Sequence, residues 1–226
     1  MQNQVEVYIS ICIPTYKRTE YIKESLQSAL SQDYDHFEVI ISDDSSHDEI
    51  RDIAASFQSP KVRYVKNSPP LGLIPKLNWF LSEAKGDWVV ILCDDDRLEP
   101  GYLRKLAAHI THHPEASLAR SRYRLIDREG TMKRLDPQNP PVMDPFEATS
   151  KVFLPYRQTY AMNITGVLFK KEILKRSGGF LNLYDGLYVD RLAWAAIGAA
   201  GLTLFEAEPL CSIRIHSSSI SGGFKG

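Results

Sequence analysis

The sequence predicts a single α/β domain with a mainly parallel central sheet flanked by helices. Three observations carry this. Apolar β-branched runs alternate with amphipathic helical stripes through residues 7–110. Residues 87–93 (DWVVILC) form a run apolar on both faces, as a strand covered on both sides must be. The 226 residues, 43% hydrophobic and 24% charged, suit one large globular domain and not a disordered chain. Alternating βα units pack as a parallel sheet between two helical layers, a Rossmann-like arrangement.

Each element has its own signal. Residues 7–13 (VYISICI) are the first strand. In residues 19–32, Ile22, Leu26, Ala29 and Leu30 share one helical face, and Thr19 is placed to cap it. Residues 37–42 (FEVIIS) are the second strand; Ser46 and Glu49 then have capping-box spacing ahead of Ile50, Ile53, Ala54 and Phe57. Residues 61–65 read as a third strand, and Leu73, Leu77, Phe80, Leu81 and Ala84 as a third helical stripe. After the 87–93 strand, Pro100 opens a helix carrying Leu103, Leu106, Ala107 and Ile110. The second half is less regular. Residues 128–160 hold five prolines and predict a long excursion with one short helix. Residues 163–180 predict a strand, a helix and a glycine cap; 188–199 a helix starting near Asp190; 211–216 a strand; and 217–226 a small, polar, mobile tail.

Several function classes are excluded. A formal net charge of −1 gives no general attraction to nucleic acid. No apolar run is long enough to span a bilayer, and residues 1–10 lack the pattern of a signal peptide, so a cytoplasmic location is expected. Cys12, Cys93 and Cys211, odd in number and far apart, read as reduced buried thiols. The first glycine is Gly72, so no glycine-rich phosphate loop follows the first strand.

Ligands of such sheets bind beyond the carboxyl ends of the strands. The segments to inspect are therefore 14–18, 43–46, 67–72 and 94–97. Carboxylates stand there in place of glycines: Asp43 and Asp44 after the second strand, and Asp94, Asp95 and Asp96 after the fourth. Clustered acids repel unless a cation or hydrogen-bond donors balance them, and a hard divalent cation suits oxygen ligands. The bland alternatives are a helix-initiating turn for the pair and a solvated turn for the triple.

The segments IPTYKR, IISDDSS, GLIPKLNWFLSEAKGDWVVILCDDDRLEP, TGVLFKKEILKRSGGF and YVDRLAWAAI, in that order, resemble glycosyltransferase family 2. The resemblance implies the glycosyltransferase A-type fold, with a nucleotide-binding half (1–114) and an acceptor-binding half (115–216). It implies an inverting transfer from a nucleotide-sugar, with UDP-sugars favoured and thymine or guanine donors as alternatives. The acceptor would be a saccharide or lipid-linked hydroxyl in polysaccharide or surface-glycan synthesis, with peripheral association at the inner membrane face. By the same resemblance, Pro14, Thr15 and Tyr16 lie along the nucleotide, Asp44 bonds the base and Asp43 supports the turn or the ribose. The 94–96 cluster resembles the Asp-x-Asp signature that holds Mn²⁺ or Mg²⁺ against the diphosphate. Its register is open: Asp95 is the metal ligand if Cys93 replaces the first acid, whereas Asp94 and Asp96 also satisfy the spacing. Asp190 matches the catalytic base, preceded by Val189 where the family has Glu. Leu77 stands where the family has Arg, with Lys76 one position away. Arg214 and His216 resemble a late Arg-x-His element facing the diphosphate, with His216 a candidate metal ligand.

The chemistry fits these roles. An acceptor hydroxyl needs a carboxylate to take its proton, and a departing diphosphate needs positive charge. A carboxylate at a helix start is expected to be held in its ionised form. Two competing readings are a non-catalytic nucleotide-binding module of this fold and a haloacid dehalogenase-type phosphotransferase; the latter places its Asp-x-Asp on the first strand. Weaker features read blandly. His109, His112 and His113 form a polar helix end without the Glu of a zinc protease motif. Arg120, Arg122 and Arg124 alternate as a solvated strand edge. Tyr156, Tyr160, Tyr184 and Tyr188 serve either sugar stacking or packing.

Overall fold

A computed structural model describes residues 6–153, 163–183 and 188–216. The expectations for Tyr156, Tyr160, Tyr184 and the 217–226 tail lie outside them. The elements run β1 (Ile9–Thr15), α1 (Ile22–Leu30), β2 (Phe37–Asp43), α2 (Glu49–Ser56), β3 (Val62–Lys66), α3 (Leu73–Glu83), β4 (Trp88–Ile91), β5 (Arg97–Leu98) and α4 (Tyr102–His112). They continue with β6 (Ala116–Ile126), β7 (Met132–Leu135), β8 (Val142–Met143), α5 (Pro145–Phe153), β9 (Val167–Lys170), α6 (Lys171–Arg176), α7 (Val189–Gly198) and β10 (Leu202–Arg214).

One sheet runs β3-β2-β1-β4-β9-β6-β10-β5, with β7 on β6 and β8 on β10. The β3-β2-β1-β4 half is parallel throughout. β9 enters antiparallel between β4 and β6, and β10 pairs parallel with β6. The chain leaves β1 first towards β2 and β3, then returns to its other side as β4. The strand order therefore reverses between β1 and β4, where open α/β sheets form their ligand crevice.

The period-2 alternation of the strands decides which layer each side chain enters. Ile9, Ile11, Ile13, Val39, Ile41 and Val90 pack with Ile22 and Leu26 of α1, Ile50 of α2 and Leu103, Leu106 and Ile110 of α4. Cys12, Ile40, Val89, Ile91 and Phe169 face the opposite layer, with Leu77, Phe80 and Leu81 of α3, Leu174 of α6 and Trp194 and Ile197 of α7. Trp194 is fully buried, 5.3 Å from the Phe169 ring and 6.2 Å from Phe180. Each such large apolar side chain contributes roughly 1.5–3 kcal/mol by leaving water.

Local expectations are corrected in four places. Neither Thr19 nor Ser46 caps a helix; α1 and α2 start at Ile22 and Glu49 without a side-chain cap bond. Helical spacing predicts that Leu192, Ala195, Ala196 and Ala199 anchor α7, but the buried face comprises Val189, Ala193, Trp194, Ala195, Ile197 and Gly198, so only Ala195 of the four is buried. The last strand is longer than 211–216, because register shifts near Pro209 let β10 follow β6 from Leu202 onward. That added strand turns β6 into an interior strand, so its arginines are not a solvated edge. Arg120 is 2% exposed and pairs at 2.7 Å with Asp136, itself fully buried, while Arg122 Nε donates to the Asp136 carbonyl. Arg124 donates to the Pro209 carbonyl at 2.6 Å. The three histidines do form a polar helix end, with His109 against Glu206 and His112 on the Ala108 carbonyl.

Candidate active site

The ends of β1, β2 and β4 and the start of α3 enclose a cleft of about 730 Å³. Pro14, Thr15, Tyr16, Arg18, Asp44, Lys76 and Asp94 line it, with the 70–73 segment. Each strand delivers its polar groups where its apolar run stops. The Thr15 hydroxyl crosses the β1–β4 switch point to donate to Asp94 Oδ2 at 2.9 Å. Tyr16 is half exposed at the rim.

The two acids after β2 divide their work. Asp43 is fully buried and turned from the cleft; Oδ1 accepts the Ser45 N–H and Oδ2 the Tyr64 hydroxyl, each at 2.8 Å. Of the two supports expected of Asp43, these bonds serve the turn. Asp44 faces the cleft and the 67–72 segment. Its Oδ1 accepts from Asn67 (2.7 Å) and the Leu71 N–H (3.1 Å), and its Oδ2 accepts the Gly72 N–H (2.9 Å) and pairs with Lys76 Nζ (3.0 Å). Gly72 holds φ +80°, a backbone state open to glycine, and so can present that N–H. Burial opposes ionisation of Asp44, but these donors outweigh it and hold the carboxyl below its ordinary range. Lys76 also donates to the Thr15 carbonyl at 2.6 Å, and burial pulls its ammonium below the usual lysine range. A base N–H reaching Asp44 would join or displace one of these donors.

The 94–96 acids form a turn closed by the Asp96 N–H on the Cys93 carbonyl. Arg18 forks across the first two, Nη2 to Asp94 Oδ1 at 2.5 Å and Nη1 to Asp95 Oδ2 at 2.8 Å. The same Asp95 oxygen lies 3.0 Å from His216 Nε2. Asp96 Oδ1 accepts the Arg214 N–H at 2.8 Å. Burial pushes the Asp94 carboxyl up to about 6 against the pull of Arg18. Asp96 rises further, through burial and then the charge of Asp95. Burial thus opposes ionisation of Asp94 and Asp96 within the turn.

Arg214 does not face the cleft as expected. Its Nε donates to the Asp95 carbonyl, Nη1 to the Asp127 and Arg128 carbonyls, and Nη2 to Glu24 at 2.6 Å, with the guanidinium 4.3 Å from the Tyr21 ring centre. It clamps the acid turn from beneath. His216, also buried, packs against Tyr21 with the two rings tilted and their centres 5.6 Å apart.

Asp190 does not line the cleft. Its place follows from α7. The Ser117 hydroxyl, at the start of β6, bonds the Ile197 carbonyl near the end of α7. Asp190 stands in the first turn of α7, at the opposite end of the helix from that contact. Asp190 Oδ1 accepts the Arg191 N–H at 2.8 Å. The expected stabilisation of its ionised form is overridden: burial raises its pKa despite that N–H and the Arg191 charge. Val189, in the place of the family's Glu, is buried in the α3–α7 layer.

The donor set fits a hard divalent cation. Ligand atoms of Cys93, Asp95 and Asp96 lie within 4.8 Å of one another. A hard cation would take the carboxylate oxygens and the His216 nitrogen in preference to the Cys93 sulfur, whose pKa burial raises.

Sequence reading missed Arg18 as a site residue, although it stands in the IPTYKR segment. The signal was a charge imbalance: three consecutive acids need a cation, and Arg18 supplies one. It also left open a basic contact that Lys76 brings to the cleft wall.

The chain is similar over nearly its whole length to an uncharacterised protein of Mycobacterium tuberculosis, at 28% identity covering 96% of this chain and 70% of that one. It is 36% identical to an Escherichia coli UDP-Glc:α-D-GlcNAc-diphosphoundecaprenol β-1,3-glucosyltransferase, over 39% of this chain and 35% of the relative. The chain spans about a third to a half of the length of six further curated relatives. Among solved structures, Staphylococcus aureus TarS in complex with UDP superposes with a TM-score of 0.74 at 20% identity, covering 93% of this chain and 61% of that one. A Pyrobaculum calidifontis mannosyltransferase with GDP-Man and Mn²⁺ gives 0.66 at 18%, covering 95% and 59%. At these identities the superpositions speak for the fold, which is the glycosyltransferase A-type fold. The model of the glycosyl transferase family 2 matches residues 10–177, and by that match the chain belongs to glycosyltransferase family 2.

Proposed function

We propose that the chain is a metal-dependent, inverting glycosyltransferase that moves a sugar from a nucleoside diphosphate donor, UDP-sugars favoured, to a hydroxyl of a saccharide or lipid-linked acceptor. The observation that carries this reading is the convergence of Thr15, Asp44, Lys76 and Asp94 on one cleft at the β1–β4 switch point, with Asp95, Asp96 and His216 beside it. The glucosyltransferase relative, named for a UDP-Glc donor and a lipid diphosphate acceptor, supports the donor and acceptor classes. The mannosyltransferase complex with Mn²⁺ supports the metal. In this reading Asp44 and the Pro14–Tyr16 segment take the nucleoside, and Asp95, Asp96 and His216 hold Mn²⁺ or Mg²⁺. Bound there, the cation would stabilise the negative charge of the leaving diphosphate.

The chain's own groups do the rest. The acceptor oxygen attacks the anomeric carbon as the bond to the diphosphate oxygen breaks, and the electron pair leaves on the diphosphate. Asp190 takes the acceptor proton; its raised pKa makes it a stronger base than an exposed carboxylate. The Lys76 ammonium adds positive charge to the cleft wall. No helix among the described residues is long and apolar enough to cross a membrane, and a lipid-linked acceptor would be met peripherally at the inner membrane face.

The test is calorimetry of UDP binding in EDTA and in Mn²⁺, with GDP and dTDP as base controls. Affinity that is equal in EDTA and Mn²⁺ refutes metal dependence. A non-catalytic reading has one observation in its favour, the buried Val189 beside Asp190. Turnover of a nucleotide-sugar, even as slow hydrolysis, rules it out.

A further inference from the structure

Arg18 occupies a position that the proposed chemistry needs for something else. Its guanidinium forks across Asp94 and Asp95, and the Asp95 oxygen it holds is the one that faces His216 Nε2. The other cations near the turn are committed elsewhere. Lys76 sits on Asp44 and the Thr15 carbonyl, and the Arg214 guanidinium meets Asp95 through its carbonyl. Arg18 therefore supplies the fixed positive charge on these carboxylates among the described residues. Its side chain is also one-third exposed and lines the cleft, in the loop where Lys17 holds φ +60°.

We propose that Arg18 is the counter-cation of the acid turn in the ligand-free protein, and that a divalent cation gains Asp95 by displacing it. This rests on the reading of Asp95 as a metal ligand. Two cations cannot share one carboxylate oxygen without strong repulsion. The displaced guanidinium lies in the cleft proposed for the diphosphate, where it meets new negative charge. Diphosphate binding thus favours the displaced state, and metal and nucleotide bind cooperatively, each raising the affinity of the other by the same factor. Arg18 acts as a positioning residue that keeps the acid turn folded and makes metal capture depend on the donor.

The experiment titrates Mn²⁺, read by its free-ion electron paramagnetic resonance signal, into wild type, Arg18→Gln and Arg18→Lys, with and without UDP, with Tm measured alongside. Arg18→Gln should bind Mn²⁺ alone about 10-fold tighter than wild type, the scale of losing a charged hydrogen-bonded competitor. UDP should then improve that affinity less than in wild type. Arg18→Lys, which keeps the charge and loses the fork, should bind Mn²⁺ alone about 3-fold tighter, and it decides the matter if the Gln variant does not fold. Mn²⁺ affinity that is unchanged or weaker in the folded variants, or no Mn²⁺ binding in any of the proteins, overturns the proposal. UDP that binds none of them removes the nucleotide reading, while the Mn²⁺ comparison still decides the role of Arg18.

Discussion

The Arg120–Asp136 pair links the sheet interior to the excursion that follows β7, and its removal should be costly in one direction only. The two side chains are 2% and 0% exposed and meet at 2.7 Å. At an effective dielectric of about 20, charges at that separation attract by roughly 6 kcal/mol before desolvation is counted. Desolvation is severe: burial raises the Asp136 carboxyl even with the guanidinium beside it. The pair therefore does not fully recover the hydration it gave up. Asp136→Ala leaves a buried guanidinium, packed 5.0 Å from the Phe205 ring centre, without its carboxylate. The expected loss is about 3–5 kcal/mol. For a domain of this size that lowers Tm by roughly 6–20 °C. Replacing both charges, as in Arg120→Met with Asp136→Leu, should cost less than either single change and end within about 1 kcal/mol of wild type. Urea unfolding of wild type, Arg120→Met, Asp136→Leu and the double variant, with the m-value checked, closes the cycle. A single-variant loss below about 1 kcal/mol, or a double variant as unstable as the sum of the singles, would refute the reasoning.

Asp190→Asn should lower turnover by roughly 10²-fold or more while leaving UDP affinity nearly unchanged; near-wild-type turnover removes Asp190 from the mechanism. The same variant should gain stability at neutral pH. Because the folded pKa of Asp190 lies above its unfolded value, its ionisation costs stability as pH rises through that pKa, and Asn avoids this cost; a fall in Tm at pH 7 contradicts the burial argument. Activity should rise with pH through the raised pKa, and Arg191→Gln, which removes a charge that lowers it, should move the acid limb of the kcat profile to higher pH. An unmoved limb assigns that limb to another group. Asp44→Ala should weaken UDP binding and also lower Tm, because Lys76, Asn67 and the Leu71 and Gly72 N–H groups lose their acceptor. Base preference that survives among UDP, GDP and dTDP, together with a lowered Tm, makes Asp44 a loop anchor and not a base reader.

The first four βα units were legible because their signals are local. A strand such as β4 is apolar on both faces wherever it sits, and the i, i+4 stripe of α4 has one face to bury. The acids at the strand ends were equally plain, since the alternation puts 43–44 at the end of β2 and 94–96 just past β4. Sequence periodicity also determines which sheet face each strand residue enters, and so which helix layer it meets. Partners across the sheet are a different matter. That β10 follows β6 depends on register shifts around Pro209, and this pairing turns Arg120 from an edge residue into a core ion pair. That Arg18 spans Asp94 and Asp95, that Lys76 reaches Asp44, and that Arg214 holds the Asp95 carbonyl are contacts between groups 32 to 119 residues apart. Side-chain charge and the local backbone pattern are written in the sequence. Which opposite charge each one meets is decided by strand order and register, because a buried charge takes whatever partner the packed layers bring within hydrogen-bond reach.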